Sequence, residues 1–215
     1  MVPPSEKSGF WQRRQLLKVG LTGLGLSGMT IAAQRGLAMP PRPPHPVSKR
    51  LPEKSLDPMK ILRDFDYGTV RQEHGRTVRE FEVTANRTTL QLNSAVSFIS
   101  WNLNGRVPGP TFRVSSGDRV RVIFHNQDSQ SHSLHFHGIH PSEMDGIKPI
   151  RYGKTTVYEF DADPYGVYPY HCHIAPVTRH ISKGLYGLLI VDPPGGRAPA
   201  DELILVMGGY DLNND

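Results

Sequence analysis

From about Thr69 to Asp192 apolar and polar residues alternate in short runs punctuated by Gly, Pro and Asn. That period predicts strands. In "GDRVRVIFHN", Val120, Val122 and Phe124 alternate with Arg119, Arg121 and Ile123, as expected of a strand with one face in a core. "VSFISWNLNG" carries a similar alternation and ends in Asn104-Gly105, a pair suited to a tight turn. Val78, Phe81 and Val83 mark another β-prone run, and "TTVYEF" and "GLLIV" two more. No stretch after residue 69 holds a long helical period. The expected fold is an all-β Greek-key sandwich over residues 69–195.

The flanks read differently. In "FWQRRQLLKVGLTGLGLSGMTIAA", Arg13 and Arg14 precede a moderately apolar, Gly-rich run from Val19 to Ala33, and Gly36 and Ala38 offer a cleavage pair. That is the layout of a signal peptide over residues 1–38. "RRQLLK" resembles a twin-arginine signal, which implies bacterial export of a folded protein to the periplasm or beyond. The run is short and rich in Gly and Ser for a membrane span. Gly23, Gly25 and Gly28 match G-x-G-x-x-G, but no strand precedes them, so they mark no dinucleotide site. Residues 39–68 are Pro-rich and read as an extended linker, with His45 in solvent. After Asp192 a Pro/Gly segment leads to an expected strand at Leu203–Met207. That strand either pairs back onto the domain or, with 196–215, opens a second domain.

The net charge of +5 suggests nucleic acid only until it is mapped. Residues 1–60 hold ten Lys/Arg and three Asp/Glu, and residues 61–215 hold fifteen and seventeen. The domain is slightly acidic, which argues against a nucleic-acid partner. The single cysteine, Cys172, excludes an intramolecular disulfide. In an exported protein a lone thiol is an oxidation liability unless a metal holds it.

Seven of the ten histidines fall in two segments. "HSLHFHGIH" holds His132, His135, His137 and His140, and "HCHIAPVTRH" holds His171, His173 and His180. Strand alternation sorts them. If residues 171–173 are extended, His171 and His173 share a face and Cys172 takes the other. If residues 132–137 are extended, His135 and His137 share a face and His132 takes the other. One side then offers Cys172 and His132, joined by His180 beyond a loop containing Pro176; the other offers two His-x-His pairs. A His, Cys, His set is the trigonal core of a blue-copper site, with zinc the alternative for mixed Cys and His ligands. The four thiol-free histidines suit copper that binds oxygen species, and the backbone of Cys172 joins the two sets.

At these residues the chain resembles the laccase-type multicopper oxidases, built on the cupredoxin fold. "NGRVPGPTFRVSSGDRVRVIFHN", "HSLHFHGIHPSEMDG" and "YHCHIAPVTRHISKGLYGLLIVDP" carry the resemblance, which covers roughly residues 75–195 and is nearest to the first domain of small two-domain oxidases. It implies type 1 copper ligands at His132, Cys172 and His180, and ligands of a trinuclear type 2/type 3 cluster at His135, His137, His171 and His173. It places Leu185 where cupredoxins carry an axial methionine; a non-coordinating leucine there is expected to raise the potential. Met144 could supply a sulfur, though packing is its ordinary role. Glu143 and Asp145 could relay protons for oxygen reduction; the alternative is a solvated turn. His140 supports the ligands at most, and His125 and His74 are surface residues.

The family's cluster uses four His-x-His pairs, and this chain has two. A second cupredoxin domain or another copy of the chain would supply the rest. The expected activity is oxidation of a small-molecule or metal-ion reductant coupled to reduction of dioxygen to water. Two alternatives stay open: a type 1 electron carrier, and an enzyme like the copper nitrite reductases. In the latter family the position of His135 is typically an aspartate and that of His173 is not histidine.

Overall fold

Two β-sheets pack face to face because their inward residues are large, apolar and spaced two apart. The computed structural model describes residue 59 and residues 62–212. The expected export signal, most of the Pro-rich linker and His45 lie outside the described residues. In chain order the strands are β1 (Phe65–Asp66), β2 (Thr69–Glu73), β3 (Arg76–Gln91), β4 (Ser97–Leu103), β5 (Thr111–Ser115), β6 (Arg119–Asn126), β7 (His135–Phe136), β8 (Thr155–Asp161), β9 (Gly166–His171) and β10 (Tyr186–Asp192). A 3-10 turn at Ser142–Met144 and a short helix, α1 (Val177–Ser182), interrupt them. One sheet runs β1-β5-β10-β9-β7 and the other β2-β3-β6-β8, with β4 pairing the second half of β3. β5 lies parallel to β10 and β3 parallel to β6, so neighbours in space are distant in sequence, as the Greek-key expectation requires.

β6 alternates as its sequence predicts: Val120, Val122 and Phe124 are buried and the residues between them are not. Aromatic contacts join the sheets, with Phe81 on Phe112 at 4.6 Å and Phe136 on Phe160 at 5.0 Å between ring centroids. Each such buried ring stabilises the fold by roughly 1.5–3 kcal/mol. On the outer face of β6, Arg121 pairs with Glu73 at 2.7 Å and Glu159 at 2.7 Å, and Arg119 pairs with Glu159 and Asp161.

These ion pairs set an acid limit. Hydrogen bonds from Arg121 hold the Glu73 and Glu159 carboxyls below their ordinary value of 4.5, and those from Arg119 hold Asp161 below its ordinary 3.8. A carboxyl with a lowered folded-state pKa adds stability that is present above its unfolded value and is lost as pH falls through the folded one. Thermal unfolding is therefore expected to shift downwards below those values. Arg121→Gln should flatten the profile, and an unchanged profile would refute the assignment.

Two boundaries differ from expectation. Phe65 and Asp66, inside the expected linker, pair with Thr111 and Phe112 as β1. Leu203–Met207 forms no strand. A ladder needs backbone partners along its length, and among the described residues the backbone bond made there is that of Ile204 N–H to the Leu62 carbonyl at 2.9 Å. Side chains hold the segment instead. Arg113 grips Asp192 at 2.7 and 3.1 Å and also Glu202, and Tyr210 packs on Phe98 at 4.9 Å. Ile204 and Val206 are half-buried, whereas Leu203, Leu205 and Met207 are exposed.

Candidate metal centre

β7 and β9 lie at the edge of the first sheet, in antiparallel register His135↔His171 and Phe136↔Tyr170. Phe136 and Tyr170 point into the core, 5.3 Å apart. Alternation then forces His135 and His171 to the other face. One residue on, Cys172 turns inward and is fully buried, and His173 is again half-exposed. The burial of Cys172 and His132 against the greater exposure of His135, His137, His171 and His173 follows the expected division, although the strands themselves end at Phe136 and His171.

Three donors meet on the buried side. Cys172 Sγ lies 3.2 Å from His180 Nδ1 and 3.9 Å from His132 Nδ1, and the two Nδ1 atoms are 3.1 Å apart. His132 is held by a two-way backbone bridge to Ile150 at 3.1 and 3.0 Å. α1 carries His180 back inward, and backbone bonds from Cys172 N–H to the Leu185 carbonyl (3.0 Å) and from Leu185 N–H to the His180 carbonyl (3.2 Å) close the loop. Leu185 is itself fully buried. Burial, with His132 and Arg179 nearby, pushes the His180 imidazole down to about 4, and burial pushes the Cys172 thiol up. Two imidazoles and a soft sulfur at this spacing fit one thiophilic metal ion.

Residues outside the two histidine segments support this set. The Trp101 ring packs on His132 at 5.2 Å and on His180 at 4.8 Å, and its backbone N–H donates to the Lys183 carbonyl at 2.9 Å. Asp128, buried, faces His132 Nε2 at 3.5 Å, although that nitrogen makes no well-aligned hydrogen bond. Burial raises the Asp128 carboxyl, but the nearby His132 ring and bonds from the Gln130 backbone and Arg87 outweigh it and hold it below the usual range.

On the half-exposed side His135 is the hub. Its ring lies 4.9 Å from His137, 5.3 Å from His171, 4.4 Å from His173 and 4.7 Å from His140. His137 Nε2 and His171 Nε2 converge at 2.7 Å. His135, His137 and His171 could share one ion, and His135, His173 and Asp145 another. Burial holds the His135 and His171 imidazoles below their usual pKa, so both favour the neutral, ligating form.

Asp145 organises this face. Its backbone carbonyl accepts from His135 Nδ1 and from His173 Nδ1, each at 2.9 Å. His171 Nδ1 donates to the Cys172 carbonyl at 2.9 Å. A carbonyl only accepts, so all three rings carry their proton on Nδ1 and keep the Nε2 lone pair for a metal. The Asp145 carboxylate also lies 3.1 Å from His135 Nδ1 and 3.5 Å from His173 Nδ1. Glu143 is exposed on the 3-10 turn, so Asp145 is the carboxylate that reaches the histidines. His140 comes closer than expected. It donates from Nδ1 to the Pro141 carbonyl and presents Nε2 to His135 at 3.1 Å. Gly138, at φ 67°, ends the strand alternation before it, so no period could have placed it. Met144 packs against the core, His125 bonds Thr155 at 2.8 Å, and His74 sits in a turn at φ 51°.

The family profile described as multicopper oxidase matches residues 84–196. A copper-containing nitrite reductase of Neisseria meningitidis is 35% identical over 128 residues, covering 57% of this chain and 33% of the relative. An L-ascorbate oxidase of Cucumis sativus is 39% identical over 112 residues, covering 48% of this chain and 19% of the relative. A crystal structure of a multicopper oxidase superposes with a TM-score of 0.71 at 43% identity, covering 73% of this chain and 57% of that one. The chain thus spans about a third or less of these two curated relatives.

Proposed function

The chain belongs to the multicopper oxidase family, with its cupredoxin-like fold and copper cofactor, and from that premise we propose that it couples one-electron oxidation of a reductant to the reduction of dioxygen to water. His132, Cys172 and His180 would hold a type 1 copper, with Leu185 offering no donor. His135, His137, His171 and His173 would supply half of a type 2/type 3 cluster, completed by a second cupredoxin domain or another copy of the chain. Bound copper supplies the one-electron redox chemistry and the binding of oxygen.

The observation that carries this reading is the run His171-Cys172-His173, in which a buried thiol lies between two half-exposed imidazoles. Three consecutive residues thereby belong to both donor sets, and the peptide chain links them covalently. Other residues prepare the site. The Asp145 carbonyl orients two rings, its carboxylate stands where protons must arrive, and Trp101 excludes water from the buried set. The twin-arginine-like "RRQLLK" supports an exported protein. Copper per chain in the purified, fully loaded protein tests the reading. About one would leave only the buried set filled and favour an electron carrier. A value towards about two and a half is expected if paired chains share a three-copper cluster.

The relatives favour one second reading, a nitrite-reducing enzyme, because a copper-containing nitrite reductase matches at 35% identity. Anaerobic assay with a reductant and nitrite separates the two: nitrite is expected to persist under argon while oxygen is consumed in air.

The acceptor carbonyl can be tested through Gly146. This residue sits at φ +79°, and a Cβ there would lie 2.3 Å from the Leu134 carbonyl oxygen. Gly146→Ala must therefore displace the Asp145 carbonyl or the strand beneath it. Losing such an orienting contact typically weakens metal affinity roughly 10–100-fold. Dialysis against copper is expected to show that loss at the exposed set, with the visible absorption of the buried set retained. Equal loss at both sets would contradict the role given to Asp145.

A further inference from the structure

Among the described residues, His180 is the donor of the buried set that reaches towards solvent. His132 and Cys172 are 0% exposed and His180 is 5% exposed, so a donor too large to enter must deliver its electron beside His180. Trp101 covers both imidazoles there, and two guanidiniums lie over its ring, Arg87 at 5.7 Å and Arg179 at 5.6 Å. The two cations differ. Arg87 is neutralised by Asp128 through bonds of 2.9 and 3.1 Å. Arg179 is exposed, directly precedes His180, and has no carboxylate within ion-pair range among the described residues. Packing of the guanidinium against the indole holds this cation in place.

We propose that Arg179 and Trp101 form the docking point for the reductant and select small anionic one-electron donors. This rests on the type 1 copper reading above and names the substrate class that reading leaves open. In the step, one electron would leave the anion, oxidising it by one unit, and would be taken up by a Cu(II) ion that His132, Cys172 and His180 would hold, reducing it to Cu(I). No atom or proton is transferred. The fixed cation raises the local concentration of anions and lowers that of cations, and salt screens both effects within about 8–10 Å at moderate ionic strength.

The test is anaerobic stopped-flow bleaching of the visible copper–thiolate band in the loaded full chain. Hexacyanoferrate(II) serves as the anionic donor and hexaammineruthenium(II) as the cationic one. The anion's rate constant is expected to fall with added salt and the cation's to rise. Arg179→Glu should slow the anion about tenfold at low salt and speed the cation, whereas Arg179→Lys should preserve both trends. A second measurement needs no copper. Redox-inert hexacyanocobaltate(III) should shift the amide resonances of Arg179 and His180 in the metal-free protein, and Arg179→Gln should abolish the shift. If the loaded wild type shows no visible band, the type 1 reading fails and takes this inference with it. If the band is present but Arg179→Glu leaves both salt dependences unchanged, the docking inference alone is overturned.

Discussion

Cys172→Ser is expected to abolish the blue colour of the loaded protein and lower turnover by several orders of magnitude. The colour of such a site comes from sulfur-to-copper charge transfer, and Cys172 Sγ is the sulfur that lies within 3.2 to 3.9 Å of two imidazole nitrogens. A serine hydroxyl is a hard donor that stays protonated at neutral pH, so it replaces neither the softness nor the charge of a thiolate. The exchange is nearly isosteric, and the fold should survive because the position is closed by backbone bonds, Cys172 N–H to Leu185 and Leu185 N–H to His180. Visible absorption and copper per chain, measured together, check this. A blue Cys172→Ser protein would refute the type 1 assignment outright. The variant should still bind metal at the more exposed histidines, which form donor groupings separate from the one that holds Cys172.

His135→Ala should do the reverse, sparing the colour and reducing oxygen consumption to background. His135 belongs to both ligand groupings on the exposed face, with His137 and His171 in one and His173 and Asp145 in the other. No other described residue there has that position, so its loss disarms both groupings at once. The buried set does not depend on its ring: β7 is anchored by Phe136 in the core, and His132 by its bridge to Ile150. An oxygen electrode and the visible spectrum report the two faces separately. Joint loss of colour and oxygen consumption would mean that the faces are not independent.

Both predictions rest on alternation, which is legible in the order of residues alone. The period of two along β6 marks Val120, Val122 and Phe124 as its buried face. The same period divides His171, Cys172 and His173 between two faces and groups Cys172 with His132. Side-chain direction in an extended chain is a local property of the backbone, which is why residue order suffices there. The expected strand at Leu203–Met207 shows the limit. Its residues alternate as a strand should, but a strand also needs a neighbour's carbonyls and amides along its length, and spacing along the chain does not say whether one is there.

Residue type and a two-residue repeat are enough for the all-β class and for a thiol set between two outward histidines, whereas α1 and its closing backbone bonds bring His180 to the buried set. Everything contributed by other segments depends on packing. The sandwich sets Trp101 of β4 against His132 and His180, and Asp128 with Arg87 behind His132. It brings Asp145 and His140, beyond the glycine that ends the repeat, around His135. It also leaves Arg179, among the described residues, as a cation without an ion-pair partner beside His180. These are contacts between stretches of chain that share no local period, and only the packing of two sheets and their loops brings them within reach of one another.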